Sequence, residues 1–144
     1  VLQSVILTEG DKMLLTPTWH VFHMYKGHQG AEALESFFGE ELMTGTEETP
    51  VPALQESVSL KEDGTILATL ANLSVSESYP VEIAFAELRP RQVKAAILTG
   101  QMNAYNTFEE PETVKGVPFQ DVSVTETGVS FTIPACSVVS LDIS

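Results

Sequence analysis

The densest group of carboxylates in the sequence is Glu109, Glu110 and Glu112, which flank Pro111. Paired carboxyl groups can hydrolyse glycosides when they lie about 5 Å apart for retention, or further apart for inversion. A carboxyl that acts as an acid also needs apolar neighbours that raise its pKa. The neighbours here are polar, so the pattern favours a solvated loop. Because no nucleophile elbow, Gly-rich phosphate loop or Ser-His-Asp pattern is present either, we predict no catalytic residue in this chain.

The three histidines are His20, His23 and His28, and the first two could lie close together on a helix. A zinc site would need further ligands, and the sequence offers no obvious third or fourth one. The pattern is more typical of a packed helix rich in aromatic residues. We therefore predict no metal and no cofactor. Cys136 is the single cysteine, and its neighbours predict a small buried residue rather than a reactive thiol.

Length and charge narrow the possible partners. A chain of 144 residues with 43% hydrophobic content can bury one core. Seven basic against 20 acidic residues give a net charge of −13, which opposes nucleic acid and anionic membranes. No signal peptide and no apolar run of about 18 residues is visible. The sequence opens inside an apolar run, residues 1–7, without an initiator Met, so we expect it to be part of a longer protein.

A single helix is predicted near the start of the chain. Thr16 can cap free amides, Pro17 fits the first helical position, and Gly30 supplies a stop. The apolar residues of this helix cover most of its circumference, so it needs apolar neighbours on more than one side. These residues are Trp19, Val21, Phe22, Met24 and Tyr25.

Beyond the helix the pattern changes twice. Residues 31–57 mix six glutamates before residue 50 with Gly and Pro, which is typical of a loop or linker. From residue 58 onward, apolar and polar residues alternate in runs such as Val129, Phe131 and Ile133. Turn signals separate six or seven such runs, and no helix lies between them. This pattern predicts an antiparallel β-sandwich over residues 58–144, preceded by a linker at 31–57 and a helical segment at 1–30.

Two segments resemble glycoside hydrolase family 51 α-L-arabinofuranosidases. Residues 1–8 with 15–26 are similar to the last strand and helix of that family's catalytic barrel. Residues 97–115, which contain MNAYNTFEEPETVK, are similar to part of its C-terminal domain. Further similarity lies at Pro134, Ser137, Val138, Val139 and Leu141. The resemblance therefore covers nearly the whole chain.

The resemblance implies a parent enzyme with a (β/α)₈ barrel and a jelly-roll-like C-terminal sandwich, which acts by retention through two glutamates. In the family both glutamates lie upstream of the segment that matches residues 1–26. It further implies that residues 1–30 remain from the barrel, and that a strand from the family's N-terminus completes the sandwich. Thr16 stands where some members place a polar group near arabinose, although its role as a helix cap would suffice to explain it.

The leading hypothesis is a structural companion of a glycosidase whose substrates are arabinose-containing saccharides and whose first partner is the catalytic barrel. A free carbohydrate-binding sandwich is the alternative, but only Tyr79 and Tyr105 could form an aromatic platform in the β part. An oligomerisation module is a third hypothesis. Apolar residues on the helix favour a homo-oligomer, and the resemblance implies the same, because members of the family commonly assemble into oligomers.

Overall fold

The computed structural model describes residues 4–144, so Val1, Leu2 and Gln3 of the predicted barrel strand lie outside the described residues. The chain is mainly β, with one α-helix, α1 (Pro17–Tyr25), continued by a 3-10 turn at Lys26–His28. The strands are β1 (Ile6–Glu9), β2 (Lys12–Leu15), β3 (Glu32–Ala33), β4 (Met43–Gly45), β5 (Pro50–Pro52), β6 (Leu54–Leu60), β7 (Ile66–Asn72), β8 (Tyr79–Ala84), β9 (Val93–Thr99), β10 (Val117–Pro118), β11 (Val122–Val124), β12 (Gly128–Ile133) and β13 (Ser137–Ile143).

Two antiparallel sheets form the body of the fold. The larger has six strands in the order β10-β9-β13-β7-β6-β3, and the smaller has three in the order β11-β12-β8. β13 lies between β9 and β7, and Leu141 stands opposite Ala95 on one side and Ala68 on the other. β8 pairs only with β12, so among the described strands its second edge has no neighbour. β1–β2 and β4–β5 are separate two-stranded hairpins.

The core lies between the two sheets, because alternate residues of each strand point inward. From β13 it receives Val139, Leu141 and Ile143, all fully buried. The facing strand β12 contributes Val129, Phe131 and Ile133. These are alternating runs that the sequence predicted as strands, and the antiparallel β-sandwich is confirmed.

The outer face of the larger sheet is covered by α1. Met24 packs with Leu98 of β9 and Val114 in a second buried cluster, which Val21 and Tyr25 border. Gly27 lies so close to this sheet that an added Cβ would stand 2.8 Å from the Leu67 side chain. The helical segment is therefore seated on the sandwich.

Several details differ from the predictions. α1 ends at Tyr25 rather than continuing to Gly30, which has the positive φ of 77° that follows the 3-10 turn. Eight strands rather than six or seven lie from β6 onward, because short pairings such as β10 carry no visible alternation. Cys136 is half-buried, not buried, and adopts φ 48° in the turn before β13.

The division at residues 30 and 57 remains a prediction. Within 31–57 the structure places β3, β4 and β5 as well as the first residues of β6. β3 pairs with β6 at the edge of the larger sheet, and Leu34, Phe38 and Leu42 pack against its core.

No helix within residues 4–144 has the length and hydropathy needed to cross a bilayer.

Leu141 and Leu73 offer a matched test of this packing, since the first is fully buried and the second is about half exposed. We expect Leu141→Ala to lower the free energy of unfolding by about 2–5 kcal/mol through lost burial and an unfilled cavity. Leu73→Ala should change it by about 0.5 kcal/mol or less. Urea denaturation measures both values, and equal losses would contradict the assignment of Leu141 to the core.

Candidate domain interface

The hairpin β1–β2 leaves apolar side chains uncovered. Ile6 pairs with Leu15 and Leu7 with Leu14, and Leu14 alone among these four is fully buried. Ile6, Leu7 and Met13 are exposed. Neither strand pairs with a third one among the described residues, so both edges of the hairpin are open. Such a hairpin is marginally stable unless something packs against it.

The helix that follows has one covered and one uncovered face. Met24 is buried against the sheet and Val21 and Tyr25 are half-buried there, whereas Phe22 is 64% exposed. Trp19 is half-buried and stacks on His23, with ring centroids 4.9 Å apart. We name the exposed apolar residues of the hairpin and helix the N-terminal apolar surface; they are Val5, Ile6, Leu7, Met13 and Phe22.

Thr16 joins the hairpin to the helix. It occupies the predicted N-cap position, but its side chain makes no hydrogen bond to the free amides of the helix, so the predicted capping bond is wrong. Its hydroxyl instead lies 3.0 Å from the carbonyl oxygens of Ser4 and Val5, which share its single hydrogen. Its carbonyl oxygen accepts the N–H of Trp19 at 3.0 Å, and its own N–H donates to Val5. Thr16 therefore ties the start of α1 back to β1.

The loop between β9 and β10 reaches the same junction through Asn106, which is buried. The Asn106 amide donates to the carbonyl oxygens of Leu15 and Val114, both at 2.9 Å, and accepts the Val114 N–H at 2.7 Å. Asn106 lies in the segment that carries the family resemblance, yet its type and spacing alone did not identify this role.

His28 fixes the end of the helical segment on the sheet. Its Nδ1 lies 2.7 Å from the Ser59 hydroxyl and its Nε2 lies 2.9 Å from the Thr69 hydroxyl. Thr69 donates to the Ser57 carbonyl, so Thr69 accepts from Nε2–H, and in the neutral imidazole Ser59 then donates to Nδ1. This arrangement uses the neutral imidazole.

The pKa of His28 is lowered from its ordinary value of 6.5, first by burial and then by the charge of Lys61. Lys61 itself is paired with Asp142. The pKa of His20 is also lowered, chiefly by burial and by His23 and Lys115, although Glu112 opposes this shift. His20 accepts a long 3.4 Å bond from the Gly116 N–H.

The predicted carboxylates form no acid–base pair. Glu109, Glu110 and Glu112 are all exposed, and Glu112 is paired with Lys115 at 2.7 Å. That hydrogen bond and the charge of Lys115 lower the pKa of Glu112, which is the wrong direction for an acid catalyst. The prediction of a solvated loop is confirmed. No group of three or more His, Cys, Asp or Glu that could hold a metal occurs in the part of the chain described here.

A shallow polar groove of about 600 Å³ crosses the outer face of the smaller sheet. Glu82 and Asp121 line it together with serine and threonine side chains. Its one aromatic residue, Phe131, is buried in the core, so the groove offers no ring face for a sugar to stack on.

The whole chain matches known proteins. The family model described as Alpha-L-arabinofuranosidase C-terminal domain matches residues 1–137, and the chain belongs to this family. It is 35% identical over 144 residues to an intracellular exo-alpha-L-arabinofuranosidase of Bacteroides ovatus, covering 99% of this chain and 28% of that protein. The chain therefore spans little more than a quarter of the length of this relative.

Solved structures agree with that assignment. The GH51 arabinofuranosidase from Xanthomonas axonopodis pv. citri matches with a TM-score of 0.93 and 37% identity, over all of this chain and 29% of that one. The thermostable GH51 enzyme from Thermotoga petrophila shares the fold, with a TM-score of 0.79 and 22% identity over 97% of this chain and 31% of that one. The predicted resemblance to GH51 C-terminal domains is confirmed.

The His28 contacts predict a pH effect on stability. Because its folded pKa lies below the unfolded value, the unfolded chain binds more protons in the interval between the two. The stabilisation is complete above about pH 6.5 and is lost as pH falls through that interval.

We expect an NMR titration midpoint for His28 below 6.5. The free energy of unfolding of His28→Gln should also depend less on pH between about 7.5 and 5.5, a range above ordinary carboxyl titration. The pKa of His20 is lowered as well, so the free energy of unfolding of the variant should still rise somewhat with pH over this range. A His28 midpoint at or above 6.5 would show that the neutral network is wrong.

Proposed function

We propose that this domain is the structural companion of the catalytic barrel in a retaining α-L-arabinofuranosidase. The parent enzyme removes terminal α-L-arabinofuranosyl residues from arabinan- or arabinoxylan-type saccharides. The observation that carries the proposal is the N-terminal apolar surface on a domain of the α-L-arabinofuranosidase family. A hairpin with open edges and exposed Ile6, Leu7 and Met13 needs a covering partner, and the barrel is the partner that the parent supplies.

Energetics support the same partner. Burial of one large apolar side chain is worth about 1.5–3 kcal/mol relative to its exposure. The five side chains of the N-terminal apolar surface already retain part of their contacts, yet covering the remainder would contribute several such increments. Barrel docking would therefore stabilise the hairpin and the domain together.

The chemistry belongs to the barrel in this proposal. Retaining hydrolysis needs two carboxyl groups about 5 Å apart in a site that raises one pKa. Glu109 and Glu110 are exposed in a polar loop, and the pKa of Glu112 is lowered. None of the three is suited to either role.

Thr16 is the residue through which this chain would approach the sugar in the intact enzyme. Its hydroxyl hydrogen is engaged with the carbonyl oxygens of Ser4 and Val5. The oxygen keeps lone pairs that can accept a hydrogen bond from a sugar hydroxyl. The Ser4 and Val5 contacts would hold that acceptor in a fixed direction.

Self-association is the second candidate function. The same apolar surface would drive two free copies of the chain together when no barrel covers it. In the intact enzyme, assembly into a homo-oligomer would then use other surfaces or the part of this one that remains uncovered.

Activity separates the domain from its parent. We expect the 144-residue chain to show no turnover of an aryl α-L-arabinofuranoside, whereas the full-length protein should hydrolyse it. Glu109→Gln and Glu110→Gln in the full-length protein should leave kcat/KM within about twofold, because surface substitutions have small effects. Turnover by the isolated chain that disappears in either variant would overturn the proposal, as would a full-length protein inactive on this substrate.

Two exposed phenylalanines provide a matched test of the apolar surface. Phe22 is 64% and Phe37 is 85% exposed, and only Phe22 belongs to the N-terminal apolar surface. In sedimentation equilibrium we expect the isolated chain to self-associate, Phe22→Ser to shift it toward monomer, and Phe37→Ser to leave it unchanged. A monomeric wild-type chain at high concentration, or equal effects of both substitutions, would contradict this use of the surface.

A further inference from the structure

Asn106 uses its whole side-chain amide on backbone groups. One amide can donate two hydrogen bonds and can also accept through its oxygen. The two donor contacts go to the carbonyl oxygens of Leu15 and Val114 at 2.9 Å, and the oxygen accepts the Val114 N–H at 2.7 Å. Two of these contacts close the loop from Asn106 to Val114, and the third leaves the loop for the hairpin.

The third contact, from Asn106 to the Leu15 carbonyl oxygen, lies at the junction between the hairpin and α1. Leu15 is the last residue of β2, and Thr16 follows it directly. Thr16 is held from the other side by the carbonyl oxygens of Ser4 and Val5. Asn106 therefore links the sandwich to the end of β2, directly before Thr16, through its hydrogen bond to the Leu15 carbonyl oxygen. Val114 also packs with Met24 of α1, which anchors the same loop beneath the helix.

We propose that Asn106 is a positioning residue, which holds the turn at Leu15 and Thr16 in place from the sandwich domain. The consequence for sugar binding rests on the function proposed above, in which Thr16 borders the arabinose. The sandwich then acts on the site without contacting substrate, because its loop fixes the backbone that carries Thr16.

Only a primary amide fills this position. Asn106→Ala removes all three contacts and leaves the carbonyl oxygens and the Val114 N–H without this partner. Asn106→Asp keeps nearly the same shape and can still accept from the Val114 N–H. Its ionised carboxylate has no donor, however, and would face two carbonyl oxygens. The two variants therefore separate loss of volume from loss of the donor bonds.

Asn72 provides a matched control. It is also buried, and its amide donates to the carbonyl oxygens of Glu77 and Pro134 and accepts the Ser74 N–H. These contacts fix the turns after β7 and β12, and none of them involves the hairpin or α1. Asn72→Ala thus removes a comparable set of contacts elsewhere in the same domain.

The experiment uses the full-length protein with Asn106→Ala, Asn106→Asp or Asn72→Ala. Hydrogen exchange followed by mass spectrometry reports on peptides that span residues 12–18 and 106–114. Steady-state kinetics with an aryl α-L-arabinofuranoside, measured well below the unfolding temperature, reports kcat and KM separately. If Asn106→Ala does not fold, the isosteric Asn106→Asp alone carries the test.

We expect both Asn106 variants to exchange faster at residues 12–18 and to lose about tenfold or more in kcat/KM, mainly through KM, since misplaced binding groups can cost about a hundredfold. Asn72→Ala should change kcat/KM by less than twofold and leave exchange at 12–18 unchanged. Unchanged exchange at 12–18 in the Asn106 variants overturns the proposal. Faster exchange there with kinetics equal to those of Asn72→Ala overturns its consequence for sugar binding, and with it the place of Thr16 beside the arabinose. If the wild-type protein proves inactive on arabinofuranosides, the proposed function fails, and the exchange at residues 12–18 still decides whether Asn106 holds this turn.

Discussion

The constraint on which this structure depends is that the larger sheet carries buried apolar residues on its outer face as well as on its core face. β7 is buried along nearly its whole length: Ala68 and Leu70 face the core while Leu67 lies on the outer face beside Gly27. A sheet buried on one face alone would present polar residues outward. Leu98 and Val138 would be exposed without α1, and covering them links the helical segment to the sandwich.

Apolar contact alone does not define how the helical segment sits, because hydrophobic burial is non-directional. Three partly buried polar contacts supply direction. His28, just after α1, connects to Ser59 and Thr69 on the sheet, and Asn106 connects to Leu15, just before α1. A buried polar group that loses its partner costs about 1–3 kcal/mol, so an arrangement that shifts the segment along the sheet is disfavoured. The helix α1 is thus held just before its start and just after its end, as well as along its apolar face.

The sequence predicted the strands whose apolar residues alternate with a period of two. It did not predict contacts between residues that are far apart along the chain. Alternation in Val129, Phe131 and Ile133 correctly identified a strand, since period two needs no tertiary information. The pairing of β3 with β6 could not be seen, because a two-residue strand has no period and its partner is distant in sequence. For Thr16 the local rule predicted a cap, but the carbonyl oxygens of Ser4 and Val5 accept its hydroxyl instead. The hydrogen bonds of Asn106 and His28 could not be predicted either, because each is made to residues far away along the chain.

The helical segment packs on the sandwich with one face and leaves apolar side chains exposed on the other. Met24 and His28 attach it to the larger sheet, whereas Ile6, Leu7 and Phe22 remain available on the outside. A segment that packs on two bodies transmits the position of one to the other, provided that its own contacts are stiff. Here the directional contacts are the hydrogen bonds from the Thr16 hydroxyl and the Asn106 amide to backbone carbonyl oxygens, rather than contacts of the exposed apolar residues. In the docking proposed above, apolar contact would decide whether the domain docks, while the polar contacts would decide the geometry in which the docked parts meet.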